Sequence, residues 1–353
     1  MLPMPYNHRF LRSLSCSTLA AMMVAACGGG SGESDISASA VSDVVPVKAE
    51  MILPSKIKAQ LSASASSSST VSPLKYFGYA AVDCGVADPN DAVSKTNYVT
   101  EVAAFSNFAQ MCAFDPADNI VSRLQLMSQN NVQAMLSIQA IFFYGVPDAT
   151  QPSGMKFSLF PNYKARWNTF IANNSLAQHT AQIAAFYIID EPVWNGVSAQ
   201  DLKTASDTVK ASFPSVPTAL IESAPGIAYL QVPTSIDWVG FDHYAIANPQ
   251  TDLIFQAELA LLKSKRSTSS QKILLTMDAQ WLPFYGASGF PESYMSNVVT
   301  SYYNIAKANP EVIGIIGYTW PGGLDSAQQK GTRDLPQNVL DENVRVGKLI
   351  TGK

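Results

Sequence analysis

Two patterns of hydrophobic positions recur along the chain after residue 73. Short, continuous apolar runs are typical of strands buried on both faces of a parallel sheet, and longer segments with apolar residues three and four positions apart are typical of amphipathic helices. The chain holds eight of the short runs, which predict eight strands: residues 76–82, 101–107, 133–139, 184–189, 218–222, 237–241, 272–277 and 312–319.

Helix signals fill most of the intervals between these runs. The predicted helices cover residues 115–130, 198–212, 252–265 and 291–308, with a weaker one at 91–99. Ser198 is a favourable N-cap residue for the second of them. Alternating strands and helices predict a parallel sheet, and eight units in about 280 residues predict a single α/β domain, a (β/α)8 barrel over residues 73–353. The first strand lacks a glycine-rich phosphate loop, which argues against a dinucleotide site.

The first 72 residues follow neither pattern. Basic residues near position 10 precede an apolar stretch over residues 14–26, which is shorter than the ~20 residues of a membrane-spanning helix. The stretch ends in Val-Ala-Ala-Cys, with Cys27 followed by Gly28, and this resembles a bacterial lipobox. The resemblance implies a lipoprotein signal peptide over residues 1–26, a lipid on Cys27 and an anchor in the cell envelope, with Gly28 favouring the outer membrane. The alternative is plain secretion with cleavage near Ala26.

Composition narrows the possible partners. Residues 27–72 are rich in glycine and serine, so we expect a flexible tether between the anchor and the barrel. The chain has a net charge of -4 and no basic run beyond the signal region, which argues against a nucleic-acid partner. We expect a monomer whose only membrane contact is the lipid anchor.

Cys84 and Cys112 are the cysteines of the predicted barrel. Both follow neighbouring predicted strands, and an exported protein meets an oxidising compartment, so a disulfide between them is expected. Two unpaired buried thiols are the alternative. Neither cysteine has metal-ligating companions at a useful spacing, and the chain has 3 histidines, so no metal site and no cofactor is predicted.

Polar and aromatic residues collect at the ends of the predicted strands, where barrel enzymes place their active sites. Carboxylates and amides can bond to sugar hydroxyls, and aromatic faces can stack on sugar rings. Glycoside hydrolysis needs a proton donor and a second carboxylate on the other side of the sugar ring. The expected catalytic acid is Glu191, which ends a long apolar run. The expected substrate-binding residues are Asp83, Asn107, Gln139, Asp190, Trp194, Asp242, His243, Tyr244, Gln280, Trp281 and Trp320.

These strand ends resemble those of the large clan of (β/α)8-barrel glycoside hydrolases with catalytic carboxylates on strands four and seven. Glu191-Pro192 matches the strand-four acid, although Asp190 replaces the usual asparagine. His243 with Tyr244 is similar to the strand-six pattern. Trp320 is similar to the strand-eight tryptophan, which implies a stacking role. Strand seven lacks the usual glutamate, and Asp278 is its nearest carboxylate.

The resemblance implies a glycosidase that acts on an extracytoplasmic poly- or oligosaccharide, with Glu191 as general acid and Asp278 as nucleophile or general base. Asp242, Glu222 and Asp83 are other candidates for the second carboxylate. Because aspartate is one methylene shorter than glutamate, it leaves room for a water, and we expect inversion at the anomeric carbon. The rival hypotheses are a carbohydrate-binding barrel without activity, a scaffold lipoprotein, and a different barrel hydrolase such as an esterase or deacetylase.

Overall fold

The computed structural model describes residues 74–353. The predicted signal peptide, the lipidation site Cys27 and the tether lie outside the described residues. Within the described part, eight parallel strands form a nearly closed barrel: β1 (Tyr76–Tyr79), β2 (Phe108–Cys112), β3 (Gln133–Ser137), β4 (Ile183–Asp190), β5 (Thr218–Ser223), β6 (Trp238–Asp242), β7 (Lys272–Asp278) and β8 (Val312–Tyr318). Each strand from β2 to β8 pairs with the next, and β8 returns to pair with β1, which confirms the predicted (β/α)8 barrel.

Helices lie between the strands. Over residues 74–353 they are α1 (Val99–Val102), α2 (Val121–Gln129), α3 (Gln139–Phe142), α4 (Tyr163–Asn173), α5 (Ala199–Ser212), α6 (Leu253–Lys265), α7 (Pro283–Ala287), α8 (Met295–Ala308) and α9 (Gln337–Thr351). Ser198 caps α5 as predicted, because its side chain accepts a hydrogen bond from the backbone of Asp201. An antiparallel hairpin of strands Phe143–Pro147 and Met155–Leu159 follows α3 and was not predicted.

The second predicted strand was wrong. Residues 101–107 include the end of α1, and β2 begins one residue after them. Val99 and Val102 are buried at helical spacing, so this apolar group packs as one face of a helical turn. The first predicted helix, 91–99, was also wrong, since α1 begins only at Val99. Residues 91–98 form no helix, and the hydroxyl of Tyr98 accepts a hydrogen bond from the backbone of Asp88.

The seam between β1 and β2 is joined by side chains and isolated bonds, whereas the other neighbouring strands share continuous ladders. At the amino-terminal end of β2, Asn107 accepts a hydrogen bond from the backbone of Phe77 and donates one to the carbonyl of Lys75. At the other end, Asp83 forms a single bridge with Met111. Beside that bridge, Cys84 and Cys112 form the predicted disulfide.

The core has two layers. One fills the barrel interior and includes Tyr76, Phe108, Met135, Trp238 and Leu274. The other, larger layer lies between the barrel and the helices. Alternate residues of each strand face opposite sides, so one strand supplies both layers. Over residues 74–353, no helix combines the length and the apolar character that a bilayer crossing requires.

Candidate active site

A cavity of about 170 Å³ opens at the carboxyl ends of the barrel strands. Its wall combines residues from all eight strands or the loops after them with two phenylalanines of the hairpin. The lining residues are Ala80, Ala81, Cys84, Val86, Gln110, Cys112, Ala113, Phe114, Met135, Ser137, Gln139, Ala140, Phe143, Phe157, Tyr187, Asp190, Ile221, Asp242, Tyr244, Thr276, Ile316, Tyr318 and Leu324. This is the end at which barrel enzymes carry their active sites.

Two carboxylates line the cavity, Asp190 at the end of β4 and Asp242 at the end of β6. Asp190 accepts a hydrogen bond from the hydroxyl of Tyr187. Asp242 accepts one from the hydroxyl of Tyr244, at 3.0 Å from its Oδ2. The pairing of β4 with β5 shifts register between Tyr187 and Ile189. Because of this shift, Tyr187 and Asp190, three positions apart, both reach the same cavity.

The pKa values of this pair are raised. Burial raises the pKa of Asp190 to about 6. Burial and, next, the negative charge of Asp190 raise the pKa of Asp242 well above its ordinary value. Two acids that share a site cannot both ionise freely, so the pair holds a proton near neutral pH. One group is then able to donate a proton and the other to accept one.

Glu191 directly follows Asp190 in the chain and lies outside the cavity wall. Its side chain is 3% exposed, and its Oε2 has no hydrogen-bond partner. The backbone of Glu191 has φ of 43°, a left-handed conformation that is costly for a residue other than glycine and turns the chain at this point. Burial first, and then the charges of Asp242 and Asp190, raise the pKa of Glu191 strongly.

Glu222, at the end of β5, fixes the turn that follows Glu191. Its carboxylate accepts hydrogen bonds from the backbone of Val193 at 2.8 Å and of Trp194 at 3.3 Å. Burial raises the pKa of Glu222 to about 7, although these bonds oppose the shift. Its polar atoms are directed at the backbone, so the structure gives Glu222 a positioning role for the loop after β4.

Asp278, the predicted nucleophile or general base, is 1% exposed and lies outside the cavity wall. Its Oδ2 accepts hydrogen bonds from the backbone of Ala245 at 2.8 Å and from the hydroxyl of Tyr285 at 2.9 Å. Burial raises its pKa to about 7. The carboxylate therefore ties together the loops that follow β6 and β7.

Several other predicted site residues do not reach the cavity. Asp83 forms an ion pair with Arg123 at 2.9 Å, and Asn107 lies at the opposite end of the barrel. Nδ1 of His243 lies 2.6 Å from Oε2 of Glu258 on α6, and this contact raises the pKa of His243. Gln280 is buried, with its Oε1 accepting from Gln329. Gln139 and Tyr244, by contrast, line the cavity beside Asp190 and Asp242.

The three predicted stacking tryptophans also lie off the cavity wall. Trp320 is 5% exposed, packs against Tyr79 and donates a hydrogen bond to Glu101 at 2.7 Å. Trp281 donates to the carbonyl of Phe290 at 3.2 Å, and Trp194 is half-buried in the turn that Glu222 holds. Trp320 in particular is core, because it fills the space between the barrel and the helices.

Solved structures resemble this chain, whereas no protein-family model and no curated protein matches its sequence. The chain is similar to a glucosidase from Croceicoccus marinus, with a TM-score of 0.54 and 12% identity over 79% of this chain and 67% of that one. It is also similar to ScGas2 in complex with a compound, with a TM-score of 0.51 and 10% identity over 77% of this chain. The match spans 64% of the ScGas2 chain, less than two thirds of it. At these identities the likeness shows a shared barrel fold.

Apart from Tyr244, the aromatic side chains that line the cavity were missed as site residues. They are Phe114, Phe143, Phe157, Tyr187 and Tyr318. The rings of Tyr318 and Tyr244 lie 5.3 Å apart. The aromatic residues just beyond β3 could have been predicted as site residues, because a hairpin that folds over the end of the barrel would bring them to the cavity. Tyr187 gave no signal, since a regular β4 would turn Tyr187 and Asp190 to opposite faces.

Proposed function

We propose that the protein is a glycoside hydrolase in which Asp190 and Asp242 are the two carboxylates that act on the sugar. One observation carries this proposal: two carboxylates from different strands line one cavity at the catalytic end of a (β/α)8 barrel. Glycoside hydrolysis uses such a pair, one group as proton donor and the other as base or nucleophile. The barrel fold shared with a glucosidase is consistent with this function.

The charge states suggest the two roles. The pKa of Asp242 is raised well above its ordinary value, so we assign Asp242 as the group that donates a proton to the glycosidic oxygen. Asp190, with a pKa of about 6, is ionised at pH 7 and acts as base or nucleophile. The tyrosine and phenylalanine rings around the pair offer apolar faces to the sugar. Glu191 with Asp278 remains the competing assignment, because Glu191 is close enough to the pair for the charges of Asp242 and Asp190 to act on it.

Turnover of isosteric variants tests the assignment. Asp190→Asn and Asp242→Asn keep side-chain shape and remove a transferable proton or a negative charge, so each lowers kcat by about 10²–10⁴-fold on a glycan that the wild type cleaves. Thermal unfolding of each variant serves as the folding control.

Two other results would redirect the assignment. Near wild-type kcat in both aspartate variants, with loss in Glu191→Gln and Asp278→Asn, would transfer catalysis to the second pair. Glycan binding by the wild type without cleavage of any glycan would favour the carbohydrate-binding barrel. The anomer of the first product, followed by NMR, tests the expected inversion.

We also propose, from the sequence alone, that the barrel is held at the bacterial cell envelope by a lipid on Cys27. The variant Cys27→Ser removes the only thiol in the lipobox-like motif. It should leave the membrane fraction or accumulate unprocessed, as followed by fractionation and mass spectrometry. A processed Cys27→Ser protein that stays in the membrane fraction would contradict lipidation.

A further inference from the structure

The cavity is lined by acidic side chains and by no basic one. Asp190 and Asp242 line it, and both lie close enough to Glu191 for their charges to raise its pKa. Among residues 74–353, no lysine, arginine or histidine lines the cavity. Asp190 is ionised at pH 7 and has no cation beside it in the cavity wall, so the cavity favours positive charge on a ligand.

Three cations that follow the barrel strands in the chain are paired with other acids. Arg123 pairs with Asp83 and donates to the carbonyl of Cys112. His243 is bonded to Glu258. Arg333 pairs with three carboxylates of the β1 side, those of Asp88, Asp91 and Glu101. Each of these cations already has its own acidic partner outside the cavity, so neutralisation of Asp190 falls to the ligand.

A second, independent observation is the hydroxyl of Thr276. This residue lines the cavity and is 4% exposed, and its Oγ1 has no hydrogen-bond partner. Buried polar atoms in folded proteins are nearly always bonded, so an unpartnered hydroxyl in a ligand cavity indicates a contact made with the ligand. A threonine hydroxyl can accept two hydrogen bonds. Asp190, Asp242 and Thr276 thus present three acceptors to one cavity.

An ammonium group matches this set of acceptors, because it is a cation with three donors and no acceptor. An acetylated amine is neutral and offers a single N–H. A uronic acid would bring a further carboxylate against Asp190 and Asp242. Building on the proposed glycosidase function, we propose that the cavity takes a sugar unit with a free amine, so that the substrate is an N-deacetylated hexosamine oligosaccharide.

Calorimetric binding of matched sugar pairs to the full chain tests this inference. The ligands are glucosamine and galactosamine tetrasaccharides with free amines, and the same oligomers fully N-acetylated. In at least one series the free-amine form should bind about 10- to 100-fold more tightly, since hydrogen bonds to charged groups are the strong ones. Asp190→Asn should remove most of that preference. Asp207→Asn, which removes one charge from the exposed surface of α5 beside Lys203, should keep it.

Turnover of the same ligands separates this inference from the proposed function. A free-amine form that binds no more tightly than its acetylated partner in both series would overturn the amine inference, even if an acetylated form is cleaved. Tighter binding of a free-amine form without cleavage of any ligand would keep the amine site and defeat the glycosidase proposal. A preference for the free-amine form that survives in Asp190→Asn would also overturn the amine inference, because the amine would then bind elsewhere.

Discussion

At the scale of single residues, Asp278 shows how the burial of a carboxyl group makes the stability of the fold depend on pH. Its pKa is about 7 in the folded protein, against an ordinary value of 3.8. The folded state therefore holds this proton while the unfolded state releases it, so stability falls as the pH rises from about 4 to about 7. Above that range the loss is complete and constant.

The variant Asp278→Asn removes this titration and keeps the side-chain shape. Relative to wild type, it should gain about 3 kcal/mol of unfolding free energy between pH 4 and pH 7, because most of the pKa shift acts in this range and one pKa unit corresponds to about 1.4 kcal/mol. Urea unfolding at several pH values measures the change. An offset from wild type that is independent of pH would show that Asp278 is ionised in the folded state. Its turnover on the best substrate then indicates whether Asp278 also takes part in chemistry.

The position of the acidic pair shows what residue patterns can and cannot predict. The apolar run that ends in Asp190 and Glu191 correctly predicted carboxylates at the end of a buried strand. The choice between the two depends on the register shift after Tyr187 and on the left-handed backbone of Glu191. Strand alternation assumes a regular pleat, so sequence alone could not determine which carboxylate faces the cavity.

At the scale of elements, the seam between β1 and β2 depends on Asn107 at its amino-terminal end. Asn107→Ala would leave the backbone N–H of Phe77 and the carbonyl of Lys75 without these partners. We expect a loss of about 1–3 kcal/mol in unfolding free energy, mainly because the N–H of the buried Phe77 loses its acceptor, whereas the Lys75 carbonyl lies near solvent. Because Asn107 lies at the far end of the barrel from the cavity, KM should not change.

Denaturant unfolding and steady-state kinetics check both parts of this prediction. Asn338→Ala, at an exposed position on α9, is the matched control for losing an asparagine side chain. A raised KM in Asn107→Ala at unchanged stability would restore the substrate-binding role that the misplaced second strand suggested.

Elements differed in how well the sequence predicted them. Seven of the strands lie within a few residues of their predicted positions, because their apolar runs are long and are bounded by polar residues. The second failed because Val102 and Phe105 suit a buried strand and a buried helical turn equally well. Tertiary packing decided between the two, and a short apolar group carries no information about that choice.

At the scale of the whole molecule, two sets of acids act on stability in opposite directions. Besides Asp278, the pKa values of Asp190 and Glu222 are raised by burial to about 6 and about 7, so these groups also weaken the fold as the pH rises toward 7. On the β1 side, the backbone N–H of Gly322 lowers the pKa of Asp88 against the effect of burial. Lys95, Trp320 and Arg333 do the same for Glu101.

Groups with a lowered pKa stabilise the fold above their ordinary values and lose that contribution as the pH falls below about 4. The acids with raised pKa values and those with lowered pKa values together place the greatest thermal stability at about pH 5, below the neutral range. Scanning calorimetry from pH 3 to pH 8 measures this profile. A melting temperature that rises steadily up to pH 8 would contradict the raised pKa values of Asp190, Glu222 and Asp278.

Two phenylalanines of the cavity wall, Phe143 and Phe157, belong to the inserted hairpin and not to the barrel. The hairpin strands pair with each other, separately from the eight-stranded sheet. A lineage could therefore lengthen, shorten or lose this ribbon while every barrel ladder stays intact. Under the proposed function, loss of the hairpin would open the cavity along its side and admit the middle of a polymer, whereas a longer hairpin would restrict access to chain ends. Substrate length would then evolve by insertion and deletion in one surface loop, independently of Asp190 and Asp242.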